Sequence, residues 1–82
     1  MSQRTQALKD ALQDLEERMK LAVNAHEAAK SVFARFEGPV SHPMYATLRD
    51  DVDRTLTHSR VLQALWHRTK ADLLDQQTKD HE

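Results

Sequence analysis

Apolar residues recur along this chain at alternating steps of four and three, and one short break divides the pattern into two runs. The first run is Leu8, Leu12, Leu15, Met19, Ala22, His26, Ala29, Phe33 and Phe36, with a single imidazole among its apolar members. The second is Tyr45, Leu48, Val52, Thr55, Ser59, Leu62, Trp66, Thr69 and Leu73. Steps of four and three keep a stripe on one face of a helix and make it a heptad seam for a shallowly crossing neighbour. The spacing therefore predicts helices over about residues 3–37 and 42–78. The break, Glu37-Gly38-Pro39-Val40-Ser41-His42-Pro43, predicts a turn over 38–42. Gly38 suits a left-handed position after the first helix, and Pro39 cannot continue it. Ser41 is the expected cap of the second helix, with Pro43 in its first turn. The final residues, Thr78 to Glu82, are expected to fray.

A short connection makes neighbouring helices antiparallel. Folding the chain about position 40.5 pairs residues whose numbers sum to 81, and the sizes then match. Phe36 meets Tyr45, Phe33 meets Leu48, Ala22 meets Ser59, and Leu15 meets Trp66. His26 meets Thr55, whose hydroxyl can bond an imidazole nitrogen. The expectation is an all-α, single-domain fold over residues 1–82: an antiparallel, coiled-coil-like two-helix hairpin. Its dimerisation would give a four-helix bundle. Because His26 lies in the seam, protonation at about pH 5 is expected to loosen the pairing.

Composition narrows the function. Charged residues make up 30% and hydrophobic residues 39% of the 82 positions, a lean supply for a core at this size. There is no Cys, which removes disulfides, thiolate metal sites and a Cys nucleophile. Twelve basic and thirteen acidic residues give −1, and both signs are spread evenly over the two halves, so the electrostatic footprint of a nucleic-acid binder is missing. No apolar stretch reaches the roughly 20 residues of a membrane span, and no signal-peptide core opens the chain. A cytoplasmic protein without membrane insertion is expected.

No chemistry stands out. The five histidines form no i, i+4 pair, and HExxH is absent. Glu16 and Lys20 form an ordinary helix-surface pair. Gly-rich phosphate loops, nucleophile elbows and paired acids in a cleft are also missing, so no catalytic, cofactor or metal residue is assigned and an enzyme is not expected.

The seam leaves a second set of apolar residues over. Leu21, Val23, Ala25, Ala28 and Val32 lie off it on the first helix, and Met44, Leu56, Val61, Leu65 and Leu74 on the second. Such a set beside a thin core implies a further interface. Val23, Leu56, Val61 and Leu65 are the expected partner contacts, with Phe33, Phe36 and Tyr45 at the turn as a second candidate.

Arg35-Phe36-Glu37-Gly38, Pro43-Met44-Tyr45-Ala46-Thr47-Leu48, and then Val52, Leu62, Trp66 and Arg68 carry a family resemblance. The chain resembles, over about residues 35–68, the small E-type subunits of the type III secretion needle chaperone (YscE, PscE and AscE-like proteins). Its turn and first helix are longer than theirs. The resemblance implies a non-enzymatic co-chaperone that docks on a TPR-like partner chaperone, the two together holding the needle subunit. The alternative is a homodimeric four-helix-bundle regulator, Rop-like or a phage-encoded inhibitor, binding another protein or RNA. A WXG-type secreted hairpin is disfavoured because no Trp-x-Gly lies at the turn.

Overall fold

The computed structural model describes residues 2–81. Two helices, α1 (Gln3–Ala34) and α2 (Pro43–His81), lie antiparallel and form a rod of 63 × 15 × 13 Å between its Cα extremes. All eighteen residues of the two stripes are buried or half-buried, so the heptad seam is the helix–helix interface. Leu12, Ala22, Leu62 and Leu73 form its fully buried apolar part. At mid-length Ala22 and Ser59 are both buried, which lets the backbones approach where no large side chain intervenes.

Both helix ends at the turn differ from expectation. α1 stops at Ala34, three residues early, with Arg35 as its cap. The Arg35 and Phe36 amides bond back to Val32 O and Phe33 O, tightening the last turn. Gly38 does not adopt a left-handed conformation, because no described residue has a positive φ. Its role is steric: a Cβ on Gly38 would lie 2.4 Å from Phe36 Cζ. Ending α1 early frees Phe36 to fold over the turn. There its ring meets His42 at 5.5 Å and Tyr45 at 6.3 Å, while Phe33 meets Tyr45 edge-on at 5.2 Å. The cap of α2 is His42 rather than Ser41, for its Nδ1 accepts from the Met44 amide at 3.0 Å. Pro43 opens the helix, where its missing N–H leaves no gap.

The open end is more ordered than the pattern suggests, since α2 runs to His81 instead of fraying from Thr78. Ser2 caps α1 by accepting the Thr5 amide at 3.1 Å. The Thr5 hydroxyl then donates to Asp80 Oδ2 at 2.5 Å, and Gln76 donates to Asp80 Oδ1 at 3.1 Å. Thr5 is the most enclosed residue described, at 2% exposure. It continues the four-three stripe one step before Leu8, a layer that a search for apolar residues passes over.

Candidate protein-binding surfaces

With the seam residues as heptad positions a and d, the positions beside them line the two long faces of the hairpin. In an antiparallel pair the e positions of both helices share one face and the g positions share the other. The grooves follow that division. One is lined by Glu16, Met19, Lys20, Val23, Asn24, Gln63, Trp66 and His67. Another, on the opposite face, is lined by Arg18, Leu21, Ala22, Ala25, His58 and Leu62.

This arrangement splits the four expected contact residues. Val23 and Leu56 occupy e positions on the first face, where Val23 is exposed and Leu56 is half-buried against the seam. Val61 and Leu65, both exposed, occupy c and g positions on the second face. They form no single patch, because a helix presents only neighbours three or four apart on one side. Phe33, Phe36 and Tyr45 are half-buried against one another at the turn. Leu21, Val32 and Met44 are exposed on the second face with Val61 and Leu65.

Trp66 lies in the seam, and it has a second role. Its indole is too large to be enclosed between two helices and stays half-buried, reaching onto the first face beside Met19 and Val23. Nε1–H donates to Glu16 Oε1 at 3.3 Å, so Glu16 turns to the indole instead of pairing with Lys20. The one signal of this in the sequence is the size of Trp at a two-helix seam.

His26 Nδ1 and Thr55 Oγ1 lie 3.0 Å apart, both residues half-buried rather than enclosed. Thr55 Oγ1 also donates its only proton to its own helix, at 2.7 Å to Asp51 O and 3.0 Å to Val52 O. It must therefore accept from His26, which places the proton on Nδ1. The bond expected between His26 and Thr55 is therefore formed.

At the open end the Asp80 carboxyl takes part in a contact between the two helices. The Thr5 hydroxyl first, then the Gln76 amide and Ser2, hold the Asp80 carboxyl below its ordinary value. Glu27 is likewise lowered, by its hydrogen bond and charge contact with Lys30. Arg18–Asp14, Lys30–Glu27, Arg54–Asp51 and Lys79–Asp75 are ion pairs within single helices and exposed to solvent, which gives each little weight.

Among the described residues no group of three or more His, Asp or Glu side chains could hold a metal ion. No described helix is long and apolar enough to cross a membrane. The surface offers two elongated faces with apolar centres and polar margins. Comparison with known proteins finds no family model, no curated protein and no solved structure that matches this chain.

Proposed function

We propose that this chain is a non-enzymatic adaptor that lays the Trp66 face of its hairpin against a helix of another protein. The observation that carries the reading is the groove in which Met19, Val23 and Trp66 form an apolar floor between Glu16, Lys20, Gln63 and His67. An aromatic anchor ringed by polar side chains is the usual anatomy of a binding hot spot. A partner helix would place residues at i, i+3/i+4 and i+7 along this groove.

The finer reading is a co-chaperone for a type III secretion needle subunit, docked on a TPR-like partner chaperone. Its support is the resemblance in the turn and second helix, together with the ring-packed end formed by Phe33, Phe36, Tyr45 and His42. A TPR-like protein is concave and helical and could receive a narrow hairpin end-on or along its length. The test is co-purification from the native cell, comparing the natural chain with Trp66→Ala and Val23→Glu. The adaptor reading expects a TPR-like protein and a small helical subunit with the natural chain, and their loss with both variants. Partners that survive both substitutions would place the contact elsewhere.

A further inference from the structure

The second long face lies on the opposite side of the seam from Trp66, and its composition points to a different occupant. On α1 its stripe runs through Asp14, Arg18, Leu21, Ala25 and Val32. On α2 it runs through His58, Val61, Leu65 and Arg68. Leu21, at 70% exposure, is the most exposed large apolar residue in either helix, and Val61 is 51% exposed. We propose that this face binds a second copy of the same chain, with the two-fold axis along the hairpin's length, so that α1 of each copy lies on α2 of the other.

Three observations choose this occupant and this axis. The first is area. The chain exposes 6238 Å², against about 5,000 Å² for a compact folded chain of its mass. The excess, roughly 1,200 Å², is of the size that one partner buries in a stable dimer, about 800 Å² or more. The second is shape. A face 63 Å long and 15 Å wide can supply that area only if it is covered along its length, and an equally long hairpin does so.

The third is complementarity between the two stripes. Turning one hairpin over about its long axis places Leu21 against Val61 of the second copy. One turn away, Ala25 takes the larger His58 of the second copy. On the other side, Leu65 of the second copy meets the aliphatic stem of Arg18. Asp14, paired with Arg18 in its own chain at 2.8 Å, comes opposite Arg68 of the second copy. Between Asp14 and Ala25 small residues meet large ones, apolar meet apolar, and the facing charges of Asp14 and Arg68 are opposite. The other way of stacking, α1 on α1 across the apolar stretch from Leu21 to Val32, sets Arg18 against Arg35. Antiparallel helices with a shared apolar seam on two sides make a four-helix bundle.

Light scattering on the full chain tests the proposal first, and a mass twice the 9.5 kDa of one chain is expected. A monomer at every concentration reached overturns it. The chain has no cysteine, so single-cysteine variants report the axis directly. Mixed Leu21→Cys and Val61→Cys chains should form disulfide-linked dimers on oxidation, while each variant alone should form few. Crosslinking by Leu21→Cys alone would overturn the axis. Val61→Glu should abolish the dimer with helicity retained by circular dichroism, and a dimer that survives it would move the interface elsewhere. Val23→Glu, on the Trp66 face, should leave the dimer intact while removing the heterologous partner, so self-association and partner docking can fail separately.

Discussion

At the turn, Phe33, Phe36, Tyr45 and His42 close the hairpin with ring contacts, whereas at the open end Thr5 and Asp80 close it with a 2.5 Å hydrogen bond. The turn is joined covalently, so its ends are already near each other. Its rings have only to bury area and set the angle at which the helices leave. The open end has no such tether. Helix termini there would separate first, and a directional bond to a carboxylate holds them in register at the point of greatest leverage. Shape-tolerant packing suffices where the chain itself supplies proximity, and a specific polar contact appears where it does not.

The comparison can be broken most strongly at the open end, beneath the polar contact. Leu73 is 4% exposed, and Leu73→Ala should lower stability by about 2–5 kcal/mol in urea titration, a large share of what so short a chain can hold. At the turn, Phe33→Ala should cost about half the ~3–5 kcal/mol of a fully buried Phe, because Phe33 is only half-buried. If Phe33→Ala costs as much as Leu73→Ala, the ranking of the two ends is wrong. Gly38→Ala should cost less again, about 1 kcal/mol, at the low end of overpacking. The new methyl must push the Phe36 ring aside, and loss of the Phe36–His42 ring-current shift by NMR would show it.

The smallest effect separates the ends by pH. The Asp80 carboxyl is held below its ordinary value in the fold. Its contribution is therefore complete above the unfolded value, about 3.9, and is lost as the pH falls through the lower folded value. Thermal unfolding should show a drop in stability below about pH 4 that Thr5→Val flattens. His26→Leu should leave that drop in place, since His26 bonds Thr55 and does not touch Asp80. An acid response removed by His26→Leu and kept by Thr5→Val would reverse the assignment.

Much of the fold was legible from the four-three spacing because a heptad stripe is a local property. Each of its residues reports the same face whatever the neighbouring helix does. The reversal near residue 40 was legible for a similar reason, since Pro39 stops a helix where it stands, although Gly38 serves by leaving room for the Phe36 ring. The binding faces were less so. Val23, Leu56, Val61 and Leu65 share a character but not a side, and telling them apart requires the handedness of the pair. Trp66 serves both seam and surface, which its position alone conceals.

The sequence by itself determined that two long helices would fold back on one another along a single seam, and in which register. Apolar periodicity and side-chain size are enough for that when only one stripe per helix can be buried. The tertiary structure alone decided where α1 stops, because Phe36 leaves the helix to cover Gly38 and join the rings of the turn. It also decided that Thr5 and Asp80, 75 positions apart, would fasten the open end, and that Trp66 would bond Glu16. These are contacts between polar groups whose value depends on distance and direction, and a linear pattern carries neither.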